Sequence, residues 1–154
     1  MIRISEALQG SYDLNGLRAD VLDIEWYEAT KTIIRKNTRN GIELAIRKNS
    51  RQPLENGDLL YVDKELYIEL YIKPCDCIVI KPKNMREMGI ICFEIGNQHI
   101  PIYIDDSNNL CVAYEAPMFA LLQRAGYEAT IEERQLLKTH VLRLNNKNFF
   151  RNKI

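Results

Sequence analysis

The chain has 154 residues, 46% of them hydrophobic, which is enough for one ordinary domain or two small ones and far from the composition of a disordered segment. Its 21 basic and 21 acidic side chains cancel, removing any global electrostatic case for nucleic acid or an anionic membrane as partner. No run approaches the roughly 18 apolar residues of a membrane-spanning helix, and the opening MIRISEALQG lacks the basic, apolar and small-residue succession of a secretory leader, so a soluble cytoplasmic protein is expected.

Ala19 to Ile24 and Thr30 to Arg35 read as strands. Asn40-Gly41 is the dipeptide favoured by a tight type I′ hairpin turn, and Ile42, Leu44 and Ile46 then alternate with polar neighbours, the period of a half-buried strand. Pro53 and Asn56-Gly57-Asp58 mark a loop, and Leu59 to Val62 and Leu66 to Ile72 fit two further strands. This half is all-β, with little room for a helix.

The period changes near Lys73-Pro74-Cys75, the expected linker. Asp76 to Ile80 reads as a strand ended by Pro82. Asn84 can cap a helix, with Glu87 completing the reciprocal pattern; Met85, Met88, Ile91, Cys92 and Ile95 return on one helical face, and Gly96-Asn97 supplies a stop. His99 to Ile104 follows as a strand, which Pro101 assigns to a sheet edge. Asp105 to Asn109 turns into a strand over Leu110 to Tyr114. Ala116 to Ala125 forms a second helix with Pro117 in its first turn, an apolar stripe of Met118, Phe119, Leu121, Leu122 and Ala125, and Gly126 at its end. Tyr127 to Glu133 is the last strand. The order strand, helix, strand, strand, helix, strand is the βαββαβ arrangement of ferredoxin-like domains. The fold class is therefore two-domain, β plus α+β: an N-terminal β domain over 1–73, a ferredoxin-like domain over 74–137 and a flexible basic tail over 138–154.

Few residues carry obvious chemistry. Of four cysteines, Cys92 and Cys111 lie in apolar segments and read as buried small hydrophobes, while Cys75 and Cys77 would face one side of a strand, a weaker metal or redox signal than Cys-x-x-Cys on a turn. No nucleophile elbow, phosphate-binding glycine loop or dinucleotide fingerprint occurs, so no enzyme is expected. The basic run Arg134, Lys138, Arg143, Lys147, Arg151 and Lys153 has no intervening acid and reads as a docking arm or a solvated terminus. The two histidines are His99, directly after the Gly96-Asn97-Gln98 turn, and His140 in the tail. Imidazole suits nickel, copper or zinc, but a lone histidine in such a position is more often a hydrogen-bonded surface or interface residue. A two-fold homodimer would supply a second copy.

Gly96-Asn97-Gln98-His99-Ile100-Pro101 is similar to a Gly-Asn-Arg-His-x-Pro signature, and LCVAYEAPMFALLQRAG over 110–126 resembles the strand and helix that follow it. Upstream, Asp23-Ile24-Glu25-Trp26, the segment around Arg35 and Leu54 to Leu60 add to the likeness, which spans roughly residues 15 to 137. Through these segments the chain resembles the UreE family of urease accessory proteins, nickel-binding metallochaperones. The resemblance implies an N-terminal domain that binds a peptide or protein partner. It also implies a ferredoxin-like metal-binding domain that forms a homodimer, or a dimer of dimers, with the histidine matching His99 as nickel ligand at the interface. The accessory GTPase UreG, the urease apoprotein, UreF and UreD/UreH are the implied partners, with neither nucleic acid nor membrane among them. Ala113, Tyr114 and Ala116 stand where some members carry further histidines, and a single tail histidine, His140, replaces a histidine-rich tail, implying delivery rather than storage. Gln98 replaces the commoner arginine. The expected metal ligands are His99 and His140, and the expected cargo is Ni2+, with zinc or copper suited to the same site. The alternative is a protein-interaction or peptide-binding adaptor without metal function.

Overall fold

A computed structural model describes residues 1–143. They fall into two compact units, Met1–Cys75 with Gln135–Lys138, and Asp76–Arg134 with the described residues from Thr139 onward. Among the described residues no helix is long and apolar enough to cross a membrane.

The first unit is all-β apart from one 3-10 turn. Its strands are β1 (Ile2–Ile4), β2 (Arg18–Ile24), β3 (Ile33–Asn37), β4 (Glu43–Arg47), β5 (Leu59–Val62) and β6 (Leu66–Ile72). They form two three-stranded sheets, ordered β1-β4-β3 and β2-β6-β5. Alternation sends Leu22 and Ile24 of β2, Leu44 and Ile46 of β4, and Ile68, Leu70 and Ile72 of β6 into one core, where burying each such side chain contributes roughly 1.5–3 kcal/mol. The strands expected at 59–62 and 66–72 are found with those limits.

Two features differ from expectation. β3 begins at Ile33 because the chain is still turning before it: Trp26–Glu28 is a 3-10 turn, and the Lys31 amide donates to the Glu28 carbonyl at 3.0 Å. The β3–β4 connection is a three-residue loop in place of the type I′ turn. The Thr38 amide donates to the Ile42 carbonyl (2.9 Å) and Gly41 to the Thr38 carbonyl (3.0 Å), and Gly41 alone is left-handed, at φ 88°. The Thr38 hydroxyl accepts from the Ile42 amide at 3.0 Å and the buried Asp20 carboxylate from the Asn40 amide at 3.3 Å, which together hold the longer loop.

Polar anchors brace this unit from inside. The Glu28 carboxylate accepts from the Glu25 amide (2.9 Å) and the Lys36 ammonium (2.5 Å). Burial pushes its pKa up, but these bonds and the charges of Lys36 and Lys31 outweigh burial and hold it below the usual carboxylate range. The buried Lys48 ammonium donates to the carbonyls of Ala29 (3.1 Å) and Gln52 (2.7 Å).

The second unit contains β7 (Cys75–Ile80), α1 (Met85–Asn97), β8 (Tyr103–Ile104), β9 (Leu110–Ala113), α2 (Ala116–Arg124) and β10 (Ala129–Arg134). Its sheet runs β10-β7-β9-β8, with β9 antiparallel to both neighbours. Numbered within the unit, the strand order is 4-1-3-2, so the domain is ferredoxin-like. Ile78, Ile80, Leu110 and Val112 from the sheet pack with Ile91 and Ile95 of α1 and Met118 and Leu122 of α2.

The Asn84 side chain caps α1 by accepting from the Glu87 amide at 2.8 Å, and Glu87 reaches back to Lys83, one residue before the cap. Met85, expected on the apolar face of α1, is exposed in its first turn, and Leu121 of α2 and Ala125 just after it, expected on the apolar stripe, are exposed as well. The strand expected over 99–104 is confined to Tyr103–Ile104. Pro101 has no amide to give a ladder, and His99 has left the extended conformation altogether. β8 does occupy the sheet edge, as the proline implied. Of the segment expected as a basic tail, Lys138–His140 is a 3-10 turn, Val141 bridges Tyr103 antiparallel, and the Leu142 amide donates to the Ile102 carbonyl at 2.7 Å. Its remainder, 144–154, lies outside the described residues.

Candidate functional site

His99 is placed by the way α1 ends. The helix runs through Gly96, which keeps a helical backbone, so the expected glycine stop does not operate. Instead Gln98 closes the last turn, its amide donating to the Ile95 carbonyl at 3.1 Å, and the His99 amide donates to the Gly96 carbonyl at 3.0 Å. His99 itself has φ 57°. This left-handed region costs a residue with a Cβ about 1–2 kcal/mol, and glycine is its usual occupant after a helix. The flanks hold it there: Ile95 is fully buried before it, and Ile100 and Ile102 pack into the same core after it. His99 is exposed. The imidazole is thus presented to solvent from a one-residue outcrop between flanks that pack into the core.

His140 is placed by long-range pairing. Its Nε2 lies 3.5 Å from Oδ1 of the exposed Asp106, and its side chain is 31% exposed. Because Tyr103 and Val141 pair antiparallel, His140 runs toward Ile104 and the following turn, whereas His99 lies off the opposite end of β8. Within one chain this register does not bring the two histidines together. Among the described residues no group of three or more His, Cys, Asp or Glu side chains is close enough to hold a metal ion.

The thiols are poorly suited to metal. Cys77 is fully buried, with Sγ 3.8 Å from the Arg134 carbonyl, and Cys75 is half-buried at the start of β7. Burial pushes the Cys92 and Cys111 thiols above their ordinary pKa, away from the thiolate a metal needs.

A feature missed in the sequence lies on the outer side of α1. Ile90 is 43% and Phe93 68% exposed, three residues apart on the helix and next to the open Gly89. At this spacing the two side chains share one face of the helix. Their i, i+3 spacing was readable, but the stronger stripe through Met88, Ile91, Cys92 and Ile95 accounts for the helix's amphipathicity and hides the second one.

These features describe a two-domain protein with the exposed imidazole of His99 and an apolar helix face at its surface. Comparison with known proteins narrows the class. Residues 1–73 match the family model described as the UreE urease accessory protein, N-terminal domain. The chain is 44% identical over 114 residues to urease accessory protein UreE of Acetivibrio thermocellus, covering 74% of each chain. It is 41% identical over 128 residues to UreE of Flavobacterium johnsoniae, covering 80% of this chain and 77% of that one. Against UreE of Haemophilus influenzae it is 36% identical over 141 residues, covering 91% and 75%. The chain belongs to the UreE family of urease accessory proteins, which are accessory factors and not enzymes.

Proposed function

We propose that this protein is a cytoplasmic metallochaperone that binds Ni2+ through His99 and delivers it to apo-urease while the urease active site is assembled. The observation that carries the reading is the exposed imidazole held in a left-handed backbone conformation, a local cost where the commoner solution is glycine. Family membership points the same way.

One imidazole cannot hold nickel alone, so the site needs a second copy. Ile90 and Phe93 on α1 support a homodimer across a two-fold axis, in which the same residue meets its counterpart. Two neutral His99 side chains then make an open site, completed by water or by a ligand from the acceptor. An ion ligated incompletely by protein leaves by ligand exchange, whereas a closed structural site would retain it. His140 is the auxiliary ligand: it acts after leaving Asp106, or from another subunit of a dimer of dimers. Zinc and copper suit the same ligands. The N-terminal unit is the partner-binding half, engaging the assembly of urease apoprotein with UreG, UreF and UreD/UreH.

Nickel titration by calorimetry at neutral pH, with oligomeric state checked at the same concentration, tests the reading. One ion per dimer is expected, abolished in His99→Ala and weakened in His140→Ala. Only deprotonated imidazole coordinates, so affinity falls on acidification. Undiminished binding in His99→Ala would sink the site, and failure of the wild-type protein to bind nickel would leave only an adaptor role.

A further inference from the structure

The outer face of the sheet β1-β4-β3 has an unusual charge arrangement. Register places Arg3 of β1 and Arg35 of β3 on either side of Ala45 of β4, and Arg47 beside Ile33 in the next outward-facing row. With strands roughly 4.8 Å apart, the two arginines flanking Ala45 stand about 10 Å from one another over a small-residue floor. The result is a groove of about 730 Å3. Ile33 lies in it 64% exposed. Arg35 is neutralised within the sheet, its guanidinium donating to Glu43 at 2.8 and 2.6 Å. Among the described residues neither Arg3 nor Arg47 has a carboxylate partner.

From this we infer that the outer face of the β1-β4-β3 sheet docks an extended acidic segment of a protein partner, in which carboxylates lie beside an aliphatic or aromatic side chain. The carboxylates pair with Arg3 and Arg47, whose planar guanidinium groups match carboxylate geometry, and the apolar side chain covers Ile33. The small Ala45 lets the bound chain approach the sheet. A nucleic acid fits less well, because no aromatic side chain lines the groove to stack a base. The inference rests on the N-terminal unit being the partner-binding half and is independent of the nickel site.

The test is fluorescence anisotropy with a labelled short peptide of Glu and Asp around a central leucine, alongside peptides in which the acids are replaced by Ser or by Lys. The wild-type protein should bind the acidic peptide best, more weakly as salt rises. Arg3→Glu combined with Arg47→Glu should weaken binding at least roughly tenfold, Ile33→Ser should weaken it less, and His99→Ala should leave it unchanged. If charge reversal disturbs folding, seen as a lowered melting temperature, Arg3→Gln with Arg47→Gln carries the test. Equal or better binding of the Ser or Lys peptide would overturn the inference while leaving partner binding by this unit intact. Binding of none of the three would overturn both. Displacement of the acidic peptide by a short RNA or by phosphatidylserine vesicles at lower concentration would reassign the face to nucleic acid or membrane.

Discussion

The two helices of the second unit are each followed by a left-handed residue, but a different one. After α2, Ala125 closes the last turn, Gly126 is left-handed at φ 81°, its amide donates to the Gln123 carbonyl, and the Tyr127 amide reaches the Leu122 carbonyl, both at 3.1 Å. After α1, Gln98 closes, His99 takes the left-handed place and donates to the Gly96 carbonyl three residues back. In both, an apolar residue beyond the end (Tyr127, Ile100) joins the core that holds one from the last turn (Leu122, Ile95). The motif is the one that usually takes glycine. Asn108, at φ 61°, is the other left-handed residue with a side chain among those described, and local chemistry explains it: its turn is closed by Asp105, whose carboxylate accepts from Ser107 and Asn109, and asparagine tolerates this region well. Neither glycine's freedom nor such a turn accounts for His99. The difference between the helix ends therefore singles out His99, and the role proposed for its imidazole supplies a reason for it.

Substitutions can break or sharpen that comparison. The largest effect is expected from the matched core residues: Ile95→Ala and Leu122→Ala should each cost about 2–5 kcal/mol in urea unfolding. A cost well below that range for Ile95 alone would mean that the end of α1 is not pinned. Asp105→Ala should cost about 1–3 kcal/mol, since two backbone amides lose their acceptor. Its pH dependence has a definite sign. Burial pushes the Asp105 carboxyl up, but its bonds from Asn109 and Ser107 and the Arg134 charge prevail and hold it below the ordinary aspartate value. Its contribution is therefore present above the unfolded value near pH 3.9 and disappears as pH falls through the lower folded one; Asp105→Asn should flatten the acid limb of a stability profile there. Gly126→Ala should cost about 1 kcal/mol from backbone conformation alone, because an added Cβ meets nothing within 4 Å. The smallest effect on stability is the most telling: His99→Gly should leave the fold as stable, or up to about 1 kcal/mol more stable, while nickel binding is lost. A His99→Gly protein markedly less stable than wild type would make His99 a packing residue.

Much of the fold was legible because local patterns agree with it. The alternation from Leu66 to Ile72, the cap at Asn84 and the glycine after α2 all point to what forms. Expectation failed where the deciding contact is distant or the signal has two readings. β1 is three residues long and exists through parallel pairing with β4, some forty positions on, which no local period reveals. The position of His140 depends on the pairing of Val141 with Tyr103. Gly96 resembled a helix stop, yet the chain uses the residue three places later, so His99 was identifiable as a candidate while its backbone conformation was not. The arginines flanking Ala45 are dispersed in sequence and meet only when β1, β4 and β3 come together.

The short return of the chain along β8 protects against a different hazard. An edge strand offers unpaired amides and carbonyls to any other strand, and a two-residue edge following a proline is already a poor template. Thr139 to Leu142 go further by occupying part of that edge, so the sheet ends in its own chain instead of an open row of hydrogen-bonding groups. A carrier of the kind proposed here gains from this shielding, because strand-to-strand association along β8 is discouraged.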